Sequence, residues 1–166
     1  MKKLLILHDT ESAVAVIPVQ RALTDLYKLE TVEVLHQAAE TVETAFSRSR
    51  KQYNASKLLA ALIQNMARVS AARDAVALWM VRDDLYVAGM NFVFGLAHTG
   101  KAAVLSIHRL YSEELIVKEA IHELGHVFGL PHCTNECVMQ YSNSLAEAET
   151  KPARLCERCR AHISYL

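Results

Sequence analysis

Several shortages narrow this sequence before any motif is considered. Its 166 residues include five glycines, three prolines and one tryptophan, with no tract rich in glycine, proline or serine. That excludes linkers, internal repeats and low-complexity arrays, so the chain reads as a single domain, residues 1–166. Charge of one sign is also lacking. Eighteen basic and eighteen acidic side chains give a formal net charge of zero, which offers no electrostatic footprint for nucleic acid or an anionic membrane. The one basic run, Arg48-Ser49-Arg50-Lys51, reads as a solvated loop. No apolar stretch approaches the length that crosses a bilayer, and the four apolar residues before His8 are too few for a signal-peptide core. A cytoplasmic setting is therefore expected, where thiols stay reduced. Cysteine is missing from everything before Cys133, which excludes latency through an upstream thiol capping a metal. The opening reads directly as a strand, so no propeptide is expected and regulation would come from elsewhere. A monomer is expected. With 52% apolar and 22% charged residues, the chain has enough to bury a core.

What the chain does have centres on residues 122–132, HELGHVFGLPH, of the form HExxHxxGxxH. Helical residues four apart lie about 40° from eclipsed and about 6 Å apart along the axis, so His122 and His126 can aim at one point and share a metal. Glu123 lies one step round, beside the metal and not on it, where a general base belongs. Gly129 can adopt the backbone angle that ends the helix, and His132 then arrives from outside it as a third ligand. Three protein ligands with a fourth position open is the catalytic form of a zinc site. The plain alternative is a helix that merely carries histidines. With His122 at zero on a wheel, Val117, Ile121, Leu124 and Phe128 fall at roughly 200–260°. The histidines are thus expected to face away from the apolar stripe, towards an opening.

Along the rest of the chain, residues 2–7 read as a buried strand. Pro18 suits a helix's first turn, placing a helix over residues 17–29, and Val32 and Val34 mark a strand over residues 31–35. Residues 37–53 read as a loop with at most one helical turn. Asn54 or Ser56 caps a helix running to about Val69, expected to back a sheet. Residues 75–81 are a nearly continuous apolar run, hence a central strand. A loop follows over residues 83–89. Residues 91–97 read as a further strand whose interior Gly95 suggests a bulge or a close approach by another chain. Residues 102–110 return as the next strand. Ser112 caps the histidine helix, with Glu113 and Glu114 in its first turn. Residues 131–145 show little regularity, and a last helix is expected over residues 152–164.

Cys133 and Cys137, then Cys156 and Cys159, form two close pairs. In a reducing compartment the economical reading is a structural four-cysteine zinc site, with two disulfides or four free thiols as the rivals. Cys133 follows His132 directly, so two metals would share backbone, and the structural one would orient a catalytic ligand. Met139 alone would be core filler. Seven residues after His132, however, a tight turn could set its thioether beneath the imidazoles as a platform. The Tyr141 phenol could reach the metal or a developing oxyanion, and a buried aromatic is the alternative.

Together these residues resemble the metzincins, zinc peptidases with the extended motif and a methionine turn. HELGHVFGLPHC followed by CVM and CERC, with QYNASKLL, DLY, NFVFGLA and SIHRL upstream, is similar to the archaemetzincins over nearly the whole chain. The resemblance implies an α+β fold: an α/β-like upper lobe (about residues 1–129) with a mixed sheet, a backing helix and the site helix. A small lower lobe (about residues 130–166) would be closed by the cysteine zinc, giving two zinc ions per chain. It implies an edge strand that holds an extended peptide, by position Asn91, Phe92, Val93, Phe94 and Gly95. Hydrolysis of peptide or protein substrates is expected, through Glu123-assisted attack of a zinc-bound water, with aminopeptidase-like action attributed to some members of the family. Glu119 and Asp84 are the candidate anchors for a free amine. The alternative is a zinc-stabilised peptide-binding module with little turnover.

Overall fold

The computed structural model describes residues 2–68 and 74–163, except the side chain of Val32. The expected helix ends near Val69 and Ser164 lie outside the described residues. Five strands form the main sheet in the order β2-β1-β5-β8-β7: β1 (Lys3–His8), β2 (Glu30–His36), β5 (Ala75–Val81), β7 (Gly95–His98) and β8 (Ala102–Ser106). Neighbours run parallel from β2 through β8, and β7 closes one edge antiparallel to β8. Alternation sorts the side chains into two layers. Leu4, Ile6, Leu78, Met80, Ala103 and Leu105 join one buried cluster with α1 (Ala13–Tyr27) and α3 (Glu113–Val127). Leu5, Leu7, Ala77, Trp79 and Val104 join the other with α2 (Ala55–Met66). All seven residues of β5 are buried, as the unbroken apolar run requires of a central parallel strand. α2 starts on Asn54, whose side chain accepts from Lys57 N, and it backs the sheet as expected. The fold is the mixed-sheet α+β arrangement that the resemblance implied.

Several boundaries differ from expectation. α1 begins at Ala13 and carries Pro18 inside it. Asp9, accepting from both Ser12 N and Arg82 N, turns the chain into the helix earlier than the proline suggested. A proline six positions in removes only one helical hydrogen bond near the start, where packing of Val16, Val19 and Leu23 outweighs it. Residues 37–53 hold two 3-10 turns, then β3 (Phe46–Ser47) and β4 (Gln52–Asn54), which pair with β6 (Leu85–Tyr86) in a second small sheet. β8 stops at Ser106 rather than 110. An unexpected helix, α4 (Leu145–Thr150), follows the histidine loop, and α5 (Glu157–Ile163) starts later than residue 152. The segment after Gly129 adds Cys133, Cys137, Val138, Met139, Leu155 and Cys159 to the α1–α3 cluster. It shares the core of the upper layers.

The histidines of α3 face away from its apolar stripe and line a cleft, as the wheel implied. Ile121, Leu124 and Phe128 of the stripe are buried and Val117 partly so, but Lys118, Glu119, His122 and Glu123 on the other side are buried as well. The helix lies between the sheet, α1 and the C-terminal segment, which cover both faces.

Candidate active site

Ser112 caps α3 by accepting from Leu115 N, and Gly129 ends it. The Gly129 φ of +84° is a left-handed value that a side chain disfavours. Leu130 N donates to Gly125 O and Gly129 N to His126 O, the two bonds of a Schellman termination. The β7–β8 turn covers Val127 O through Gly100 N and adds a second bond to His126 O from Thr99 Oγ1. The chain reverses there and brings His132 back to the helix.

The ring nitrogens of His122, His126 and His132 come together within 4.8 Å of one another. His122 Nδ1 lies 2.8 Å from Val138 O and His126 Nδ1 2.7 Å from Leu130 O. Each Nδ1–H is thereby committed to a carbonyl, and each Nε2 keeps its lone pair for a metal. The two Nε2 atoms are 3.0 Å apart, close to the roughly 3.3 Å edge expected for tetrahedral zinc with bonds near 2.05 Å. Burial, reinforced by the nearby Lys151 ammonium, holds His122 well below the ordinary imidazole value. Burial lowers His126 and His132 as well. Neutral imidazoles are the form that ligates.

The four cysteines are unbridged, with their sulfurs also within 4.8 Å of one another. Cys133 Sγ and Cys156 Sγ are 3.8 Å apart. A disulfide needs about 2.05 Å, whereas two sulfurs on one tetrahedral zinc at 2.3 Å stand about 3.8 Å apart. The donor set fits zinc. Its backbone is shared with the histidines, because Cys133 N donates to Met139 O and Val138, the anchor for His122, directly follows Cys137.

Met139 is fully buried, and its sulfur occupies the space that a side chain on Gly125 would need. Tyr27 OH, which donates to Ile121 O, crowds the same gap from α1. Gly125 therefore matters for this contact, which the motif's variable position hid. Glu123 lies buried against Gly95, where an added Cβ would meet its Cδ at 2.6 Å. The close approach expected at Gly95 is made by this side chain. Burial, with Glu119 adding its charge, pushes the Glu123 carboxyl up to about 8. Tyr141 is half exposed at the cleft, its ring 4.9 Å from that of His132.

The cleft encloses about 240 Å³. The three histidines, Glu119, Glu123, Tyr141 and Lys151 line it opposite an apolar wall from Val87 to Ala97. Here the expected edge strand is corrected. Strand pairing with β8 starts only at Gly95. Asn91 O is taken by Arg50 and Gln52, and Val93 N bonds Leu85 O in β6. Asn91, Phe92, Val93 and Phe94 thus lead into the strand, and Asn91 is not among the lining residues. Ser106 N donates to Phe94 O, so alternation turns the free backbone groups of Gly95 and Ala97 outward, in line with β6. Of the two amine anchors considered, Asp84 is locked in a bidentate pair with Arg109 and takes a further bond from Gln52. Glu119 lines the cleft but faces Lys151 at 2.7 Å.

Three neutral imidazoles converging beside a buried carboxyl, on a helix that ends over a methionine-bearing turn, define a zinc metallopeptidase of the metzincin kind. The family model for peptidase family M54 matches residues 13–165. An archaemetzincin of Archaeoglobus fulgidus is 40% identical over 148 residues, covering 84% of this chain and 87% of that protein. The solved archaemetzincin of Methanopyrus kandleri superposes with a TM-score of 0.84 at 32% identity, over 99% of this chain and 94% of that one. That of A. fulgidus gives 0.83 at 33% identity, over 96% and 99%. The chain belongs to peptidase family M54, the family of the archaemetzincins.

Proposed function

We propose that the cleft hydrolyses peptide bonds with Glu123 as general base, on a zinc held by His122, His126 and His132. A second zinc on Cys133, Cys137, Cys156 and Cys159 acts as a structural clamp. The observation that carries this reading is the paired commitment of His122 and His126 Nδ1 to backbone carbonyls, which frees both Nε2 lone pairs beside Glu123. When bound, zinc supplies Lewis acidity that polarises oxygen and lowers the pKa of water. Glu123 takes the proton of the attacking water and passes it to the leaving amine, and the wall at Gly95 holds it beside the imidazoles. Gly95 and Ala97 offer outward N–H and C=O groups to an extended substrate, by strand addition. Tyr141, whose ring lies 4.9 Å from that of His132, donates to the carbonyl oxygen as charge develops on it; the proximity of the two rings supports this role. Met139 fills the space beneath Gly125 and keeps the turn that carries Val138 in register. The four reduced thiols suit a cytoplasmic setting, and no described helix is long and apolar enough to cross a membrane.

The test is a mass-spectrometric digest of a diverse peptide mixture with zinc-loaded protein and its Glu123→Ala variant. Glu123→Ala should retain both metals and lose cleavage. Product termini from the wild type separate internal cleavage from removal of an amino-terminal residue. An active variant, or one that loses the histidine-bound zinc, overturns the assignment. No cleavage by the loaded wild type would favour a peptide-binding module.

A further inference from the structure

One wall of the cleft is polar in a way that hydrolysis does not require. Lys151, directly after α4, and Glu119, one turn of α3 before Glu123, are almost fully buried, and both line the cleft. The Lys151 ammonium lies 2.7 Å from Glu119 Oε1. α4 has six residues, too few to be helical alone, and α3 holds it. Lys118 Nζ donates to Ala148 O at 3.1 Å and to Glu149 O at 3.0 Å. Adjacent residues of α3 therefore grip α4 and the lysine behind it, which brings Lys151 to the cleft.

Packing alone does not account for the pair, because apolar residues of similar volume hold helices together as well as a buried ion pair or better. The hydrogen bonding points to a ligand. A lysine ammonium has three N–H groups. One meets Glu119. The next contact, His122 Nδ1 at 3.4 Å, has its own proton committed to Val138 O and cannot accept. No other acceptor lies within bonding distance of Lys151 Nζ among the described residues. Ser142, which also lines the cleft, has its Oγ buried without a partner. The Lys151 ammonium and the Ser142 hydroxyl thus both have donors to spare in the cleft that the imidazoles line. The carboxylates lining the cleft are Glu119, which Lys151 engages, and Glu123, which the reaction uses. With a dication on the histidines the cleft carries net positive charge, which favours an anion over an ammonium group.

We infer that Lys151, braced by Glu119 and joined by Ser142, forms a carboxylate subsite that sets substrate preference. The carboxylate belongs to an acidic side chain near the scissile bond or to the substrate's own C-terminus. This inference rests on the peptidase reading above.

The zinc-loaded protein and a Glu119→Gln/Lys151→Met double variant, which leaves no unpaired buried charge, are given matched peptide libraries. One pair of libraries exchanges Asp and Glu for Asn and Gln, and another exchanges free C-termini for amides. The wild type should favour one acidic form by about tenfold or more in kcat/KM. The pair that shows the preference identifies the carboxylate. The double variant, with zinc content and melting checked, should bring that ratio close to one. Independently, calorimetry on zinc-loaded Glu123→Gln protein compares hexapeptides with Glu walked through each position, their Gln twins, and their C-terminal amides. A matching tenfold gap in Kd is expected. Cleavage without acidic preference, or a preference that survives in the double variant, overturns the inference. If no peptide is cleaved, the peptidase reading fails, and equal Kd values for all acid and neutral twins then overturn the subsite as well.

Discussion

Replacing Gly95 by alanine tests the geometry around Glu123 with a single methyl group. An ideal Cβ at this position lies 2.6 Å from Glu123 Cδ, 2.7 Å from Cγ and 2.7 Å from Val104 O. Unstrained carbon contacts need about 3.5–4.0 Å, so something must retreat by about 1 Å. The strand cannot easily do so, because Val104 belongs to β8 and is paired with β7. The carboxylate must move instead, away from the imidazoles it serves. A displacement near 1 Å costs about a hundredfold in rate, and overpacking costs about 1–3 kcal/mol of stability. For a domain of this size that lowers the melting temperature by roughly 2–4 °C per kcal/mol. Gly95→Ala should therefore bind zinc normally, melt several degrees lower and lose about two orders of magnitude in kcat/KM on a peptide identified in the digest. Zinc content, melting and steady-state kinetics on one preparation check all three. Full kcat/KM in a stably folded Gly95→Ala protein would refute the placement of Glu123 against β7.

Cys156→Ser should lower total zinc by more than the cysteine site alone, because Cys137 and Cys133 flank the backbone that positions His122 and His132; metal analysis showing unchanged zinc would remove the structural clamp from this account. In chelated protein, Glu123 keeps a proton up to about 8 when folded and loses it near 4.5 when unfolded. Its contribution to stability is complete below 4.5 and disappears as pH rises through about 8. The melting temperature of metal-free wild type relative to Glu123→Gln should therefore fall steadily across that window, and a flat difference would contradict the buried placement.

The zinc chemistry was legible because it is local. His122, Glu123 and His126 are fixed by helical spacing, Gly129 by the angle it must adopt, and the cysteines by close pairs. The 3.6-residue period and the left-handed turn act over a few residues, so sequence alone determined them. The apolar runs at β1 and β5 were equally clear. What the sequence could not decide were contacts made across long separations. Gly125 appeared as a variable position of the motif until Met139 and Tyr27 were seen to need its missing side chain. The edge strand was placed four residues early because apolar alternation marks a strand but not its partner. Arg50, Gln52 and Leu85 occupy residues 91–93 from distant parts of the chain. Lys151 and Glu119 are 32 positions apart, and no local pattern pairs them. Asp84 looked free to bind an amine until Arg109 and Gln52 were found on it. Local geometry thus determined which residues can hold zinc. Only tertiary packing decided which charges remain for a substrate, because a side chain's free valences depend on neighbours brought from elsewhere in the chain.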